Sequence, residues 1–295
     1  YWRVNRTSVG YKDISPYVID ALIATEDERY HDHSGIDFRA IARAIKGMGK
    51  DGGGSTITQQ LAKLLFTLRQ REIDAELRAA GKEVKAQSGL MHRLNEKAKE
   101  NIIATRLEKR YTKEEIITMY LNQFDFLFNA VGIENAAKVY FSKKPNELSM
   151  EEAATLVGMC KNPDLYNPHK HEVRNYRSKI AAKKRIDPRN VQQSEIDELR
   201  KKDSLRAINR RNTVLNQWLK SSKAKNPAVK NYITQAQCDS LKKLPIIINY
   251  EVVDHKDGVA PHFRESLRSE LKALFAQKDE NGKYKYAKKD GSKYD

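Results

Sequence analysis

The chain has 295 residues and carries 55 Lys+Arg against 39 Asp+Glu, a formal net charge of +16. A hydrophobic fraction of 39% leaves enough Leu, Ile, Val and Phe for a core, which excludes wholesale disorder. Two cysteines, Cys160 and Cys238, exclude a disulfide scaffold or a four-cysteine zinc site, and no apolar run reaches the roughly 18–20 residues that span a bilayer. The positive surplus favours polyanions: nucleic acid, an anionic membrane surface, or phosphate-bearing substrates.

In chain order the pattern is helical, without an internal repeat. Ser15-Pro16 reads as a helix entrance, and Val18, Ile19, Leu22 and Ile23 follow at helical spacing. Glu26 lies four residues after Leu22 and three after Ile23, so it continues the buried stripe. Desolvation there favours the protonated carboxyl and suits a general acid or base working near neutrality. A solvated acidic turn fits the same spacing. Next, Gly52-Gly53-Gly54-Ser55-Thr56 runs into a helix whose apolar side is Ile57, Leu61, Leu64, Leu65 and Leu68. Thr56, Gln60 and Lys63 form a polar stripe beside it. The free N–H groups of this helix start, with Lys63 two turns in, would bind an anion such as phosphate. The P-loop pattern fails, because Gly54 stands where it needs Lys directly before Ser. A glycine loop before a capped core helix is the alternative.

Residues 69–92 are charge-rich, like an exposed excursion. Glu96-Lys97-Ala98-Lys99-Glu100 then opens a helix in which Glu100, Ile103 and Leu107 share a face, with Lys97 one turn earlier. The same run fits a solvated charged face. Thr112 with Glu115, and Ser149 with Glu152, are spaced as capping boxes, and Asn162-Pro163 closes the second helix. Residues 177–209 are again dense in charge. A strand pattern begins at Ile246 after Pro245, placing a boundary between 244 and 245, and the tail 278–295 is expected to be mobile. The two H-x-H pairs, His31/His33 and His169/His171, lack the spacing of a zinc site.

Taken in series, these segments resemble the peptidoglycan glycosyltransferase domain (glycosyltransferase family 51) of class A penicillin-binding proteins. The family's E-D-x-x-F-x-x-H-x-G is matched by Glu26, Asp27, Tyr30, His33 and Gly35, with Tyr for Phe. Its G-x-S-T-I-T-Q-Q is matched from Gly53 to Gln60. Its R-K-x-x-E is matched by Lys97 and Glu100, with Glu96 where Arg is expected; Arg93 or Arg71 is the candidate replacement. Tyr120-Leu121-Asn122, Gly132-Ile133-Glu134 and Tyr140-Phe141-Ser142-Lys143 fit its next block, and Arg210-Arg211-Asn212-Thr213-Val214-Leu215 fits R-R-x-x-V-L. The likeness runs from about Lys12 to Lys220, with 69–92 and 177–209 as insertions. Residues 245–295 resemble a linker toward a transpeptidase domain, but no S-x-x-K or K-T-G motif is present.

The resemblance implies a mainly α, lysozyme-like, two-lobed fold over residues 1–244, with a short α/β linker over 245–295. It implies polymerisation of lipid II onto a growing lipid-linked glycan by inverting transfer, at the outer face of the cell membrane, below an upstream membrane helix. Glu26 would be the catalytic base. Glu100 would be the second catalytic carboxylate and would orient the lysines, hold a divalent cation, Mg2+ or Mn2+, at the diphosphate, or help the leaving group depart. Lys63, Lys97, Lys99, Ser55, Thr56, Gln59, Gln60, Asp27, His33, Lys143 and Arg210 would form the substrate site, with Lys143, Arg210 and Arg211 as outer anion contacts or structural posts and with tying down the loop as the alternative role of Asp27 and His33. The membrane surface and the transpeptidase domain would be partners, and nucleic acid would not. A muramidase-type enzyme on a related fold is the rival reading; a nucleic-acid module has only the net charge in its favour.

Overall fold

The computed structural model describes residues 8–46, 54–79, 81, 89–170, 175–251, 261–278 and 284–286. In chain order the helices are α1 (Pro16–Glu26), α2 (Phe38–Lys46), α3 (Ile57–Ala62), α4 (Arg69–Ala79), α5 (Leu90–Glu108), α6 (Lys113–Gln123), α7 (Ile133–Phe141), α8 (Met150–Cys160), α9 (Pro163–Tyr166), α10 (Tyr176–Lys184), α11 (Gln193–Lys223), α12 (Gln235–Lys243) and α13 (Pro261–Phe275). A π-helical stretch, Lys63–Leu68, joins α3 to α4. The described residues contain no strand, only the isolated bridges Asp125–Val131 and Lys278–Tyr284. The class is therefore mainly α. The chain divides into two compact units, residues 6–251 and residues 252–295 with 1–5.

In the first unit α1 is enclosed on every side, and the residues from Val18 to Ala24 are all buried. Pro16 opens it as the sequence indicates, but the Ser15 hydroxyl donates to the Leu148 carbonyl at 3.0 Å instead of capping. Asp20 is buried with the apolar residues because its carboxylate accepts N–H bonds of 2.7–2.9 Å from Lys230 N, Asn231 N and Asn231 Nδ2. Burial pushes its carboxyl up and those donors pull it back. The link anchors the loop after α11 onto α1. Around α1 pack α8, buried from Ala153 to Cys160, and α11, which contributes Val214, Leu215 and the fully buried Trp218. A second group joins α3, α5 and α6 through Ile57, Leu61, Ala104, Ile116 and Ile117. The C-terminal end of α1 reaches the seam between these groups.

Local signals worked where a side chain could satisfy the backbone directly. Thr112 and Glu115 form their box at α6: the hydroxyl accepts from Glu115 N at 3.2 Å, and the Glu115 carboxylate accepts from Thr112 N at 2.7 Å. Asn162 caps α9 through Leu165 N at 3.0 Å. Residues 177–209 contain a helical hairpin, α10 against the first half of α11, with its own small core of Tyr176, Ile180, Ala181, Val191 and Ile196. In 69–92, α4 continues from the π-helical stretch, and its described side chains are exposed or half-buried.

The run from Ile246, read as a strand, is extended chain without a strand partner. Asn249 N donates to Tyr140 O at 3.0 Å and Glu251 N to Val139 O at 2.9 Å, using carbonyls that the last turn of α7 leaves free. Tyr250, between them, stacks on His169 with centroids 3.5 Å apart. These contacts hold residues 245–251 to the first unit, so the division falls after Glu251 and not at Leu244-Pro245. Cys160 and Cys238 are both buried and free. In the second unit α13 is followed by the Lys278–Tyr284 bridge, and Phe275 meets Tyr286 edge-on at 6.2 Å. Of the tail expected to be mobile, 279–283 and 287–295 lie outside the described residues.

Gly35 sits where α5 crosses the loop after α1. Its φ is +93°, and a Cβ there would lie 2.9 Å from the backbone carbon and oxygen of Ala104. Gly35→Ala is expected to lower the unfolding free energy by about 2–3 kcal/mol. An unchanged urea midpoint would contradict this packing.

Candidate active site

The site is built on a buried carboxylate that is not itself reactive. Asp27 follows the last residue of α1 and is 6% exposed. Its Oδ1 lies 2.9 Å from His33 Nε2, and its Oδ2 accepts the N–H of Ile57, the first residue of α3, at 3.0 Å. His33 Nδ1 in turn accepts from Gly35 N at 3.2 Å, and the Thr56 hydroxyl donates to Gly35 O at 2.6 Å. The loop after α1 is thus braced internally by His33 and fastened to the start of α3 by two hydrogen bonds.

That arrangement places Glu26 beside Gln60. Glu26 Oε2 accepts from Gln60 Nε2 at 3.1 Å, and Glu26 Oε1 accepts from Arg210 Nη2 at 3.0 Å. Arg210 reaches in from α11, with Nε on the Gly158 carbonyl at 3.2 Å and its guanidinium 5.8 Å from the Tyr166 ring centroid. The carboxylate therefore has a polar setting, half-buried and ion-paired, in place of the apolar stripe that periodicity indicated.

Glu100 is 6% exposed on α5. Its Oε1 accepts from the Thr67 hydroxyl at 3.1 Å, and its Oε2 lies 3.4 Å from Lys97 Nζ. Lys97 also donates to Ser55 Oγ at 3.0 Å. The two carboxylates are thus secured by one continuous helical segment, Glu26 by Gln60 and Glu100 by Thr67 seven residues on. The π-helical stretch contains Thr67, and such widened turns are frequent where side chains must be re-aimed at functional sites. Ser55 and Thr56 line a shallow hollow with Glu26, Asp27, Glu28, Arg29, Asp37, Ala40 and Arg43. Lys97 meets Ser55, while neither Lys97 nor Glu100 is among the residues that line it.

Several expected substrate contacts have other work. The start of α3 is not a free anion site: Asp27 takes Ile57 N, and Thr56 Oγ1 takes Gln59 N at 3.1 Å, so the protein supplies its own anion to those amides. Gln59 is buried as the other half of the capping box, accepting from Thr56 N at 3.0 Å and donating to Asn101 Oδ1 at 2.8 Å. Lys143 pairs with Glu152 at 2.8 Å near the beginning of α8, about two turns from the Gly158 carbonyl that Arg210 binds. Arg211, 1% exposed, donates to the carbonyls of Leu244 and Lys242 and closes the end of α12. Asp27 and His33 bond to each other and hold the loop. Lys63 and Lys99 are exposed, and Lys97 is half-buried. Gly53 and the Arg71 side chain lie outside the described residues. Glu96, in the arginine position of the third motif, pairs with His92 at 3.2 Å. Arg93 is exposed one turn before Lys97 on the same face of α5.

Comparison with known proteins gives the family. A transglycosylase family profile matches residues 2–186. The chain belongs to the transglycosylase family. Penicillin-binding protein 2a of Streptococcus pneumoniae is 40% identical over 162 residues, covering 55% of this chain and 19% of that protein. Penicillin-binding protein 1A of Escherichia coli is 30% identical over 275 residues, covering 92% of this chain and 25% of that protein. A crystal structure of penicillin-binding protein 1A from Haemophilus influenzae aligns with a TM-score of 0.40 at 18% identity, over 95% of this chain and 22% of that one. The chain thus spans about a quarter or less of the length of these relatives.

Among the residues that orient the two carboxylates, sequence reasoning named Gln60, Lys97 and Arg210, as substrate contacts, and missed Thr67. Thr67 was visible only as the residue seven after Gln60, and Arg210 was read as an outer anion contact although it touches Glu26 directly. Removing the Asp27 link tests the anchoring. Asp27→Ala is expected to cost about 1–3 kcal/mol by leaving Ile57 N–H buried and unpaired. Asp27→Asn, which keeps an acceptor for that N–H, is expected to lose less than half as much. Equal losses in thermal unfolding would contradict this role.

Proposed function

We propose that this domain extends glycan by transferring a lipid-linked chain onto lipid II, with Glu26 as the general base. The observation that carries the reading is the geometry of Glu26. Arg210 and Gln60 each take one lone-pair direction of its two oxygens, which leaves acceptor capacity directed at the hollow. An acceptor hydroxyl is a poor nucleophile. Glu26 would take its proton as the oxygen attacks the sugar carbon from the face opposite the departing diphosphate, giving inversion.

The leaving group carries charge away from that carbon and needs cations that do not have to reorganise. Lys97, placed by Ser55 and Glu100, with Arg93, Lys99 and Lys63, would supply them. Glu100 then acts by fixing an ammonium. A divalent cation, Mg2+ or Mn2+, would have Glu100 as its ligand. Each Glu100 oxygen has one partner, Thr67 or Lys97, and no group of three or more His, Cys, Asp or Glu side chains suited to a metal occurs among the described residues. No step here is routed through one. A muramidase would leave this basic grouping without a task.

Purified domain carrying Glu26→Gln should lose at least a hundredfold in lipid II polymerisation rate while keeping its circular dichroism melt. Near-normal polymer yield would end the assignment. Release of soluble fragments from finished peptidoglycan by the wild type would favour the muramidase reading.

The membrane surface is proposed as a partner on separate grounds. No helix among the described residues is long and apolar enough to cross a bilayer. Of Leu64, Leu65, Phe66 and Leu68, only Phe66 is classed as exposed, at 49%, but Ile73, Met91 and Leu94 are exposed at 41%, 77% and 55%. With the basic surplus these would rest on an anionic bilayer. Combined Phe66→Ser and Met91→Ser should weaken sedimentation with phosphatidylglycerol vesicles several-fold. Unchanged binding would contradict that contact.

A further inference from the structure

Tyr120, on α6, has no part in the chemistry described so far. It is 1% exposed, packed against Phe124 with ring centroids 5.8 Å apart, and its hydroxyl lies 3.0 Å from Gln60 Oε1. The two ends of the Gln60 amide differ chemically. A carboxylate only accepts hydrogen bonds, so Gln60 must turn Nε2 toward Glu26 and its carbonyl oxygen away. A half-turn of that amide would set oxygen against oxygen, removing one of the two donors that hold Glu26 and adding repulsion. The phenol opposes this turn, because it gives a proton to Gln60 Oε1 only while Nε2 faces the carboxylate.

Burial pushes the Tyr120 phenol well above its ordinary pKa, so it remains a protonated donor. The adjacent Cys160 thiol is pushed up by the same cause and stays neutral, presenting no anion that would draw the phenol away. Glu26 is therefore held from two directions. Arg210 fixes one oxygen through charge, and a relay from α6 through α3 fixes the other. The relay makes the angle of the carboxylate depend on the packing of α6 against α3 as well as on α1.

We propose that Tyr120 is a positioning residue for Glu26, acting through the Gln60 amide. The proposal rests on Glu26 being the base. It is tested with the purified domain and lipid II, by measuring kcat and KM for Tyr120→Phe, Gln60→Leu and the double variant. Tyr120→Phe is expected to lower kcat about tenfold, with KM within twofold of wild type, because a loosened base costs rate and not affinity. Gln60→Leu is expected to lose at least as much, and the double variant to match Gln60→Leu within twofold, since the phenol's hydrogen bond reaches Glu26 through the Gln60 amide.

An unchanged kcat in Tyr120→Phe, a loss confined to KM, or multiplying losses in the double variant would overturn the proposal. The comparison of Gln60→Leu with the double variant stands even if Tyr120→Phe alone is too unstable to assay, because the double variant leaves neither partner unpaired. A wild type that makes no polymer would sink the reading of Glu26 itself. An active wild type matched by Tyr120→Phe would sink only the relay.

Discussion

The arrangement depends on one buried carboxylate, Asp27, bonded at once to a histidine six residues ahead and to the first amide of a helix thirty residues ahead. The two oxygens of a single side chain set the distance between the end of α1 and the start of α3. The opening amides of a helix carry partial positive charge and lack intrahelical acceptors, so an acid placed there is stabilised and satisfies them together. Because the bond is buried, neither end can be exchanged for water without leaving a polar group unpaired. Glu26 and Gln60, adjacent to the two ends of this link, inherit their separation from it.

From that link the division of labour follows. The group formed by α1, α8 and α11 contributes Glu26 and Arg210; the group formed by α3, α5 and α6 contributes Gln60, Thr67, Lys97, Glu100 and Tyr120. A carboxylate shared between two packed groups has its position fixed by both. Its chemistry is set by a guanidinium on one side and a neutral amide on the other, which together hold it without exhausting its acceptor capacity. Lys97 stands against Ser55, held by the second carboxylate, Glu100, whose other oxygen takes the Thr67 hydroxyl.

Packing also explains which polar residues are unavailable to a ligand. Thr56, Gln59, Asp27 and Arg211 are all nearly fully buried, and each spends its hydrogen-bonding groups on helix termini or loops. Conversely, Lys63, Lys99 and Arg93 are exposed. In a basic chain, charge alone does not separate these classes; burial does.

The sequence by itself determined the helical class, the entrances of α1 and α6, the cap of α9 and the family, because these depend on spacing within a few residues or on ordered motifs. It also singled out Glu26 and Glu100, each of which lies at helical spacing from apolar neighbours. It misread the run after Pro245 as a strand, because a β-rich composition does not show that the waiting acceptors are the free carbonyls of α7. It took the start of α3 for a vacant anion site, because nothing local reveals that Asp27 occupies it. The ion pair of Glu26 with Arg210, 184 positions away, and the reach of Tyr120 across 60 positions to Gln60 were decided only by tertiary structure. Contacts between residues so far apart depend on how the helix groups pack, and no periodicity along the chain encodes that.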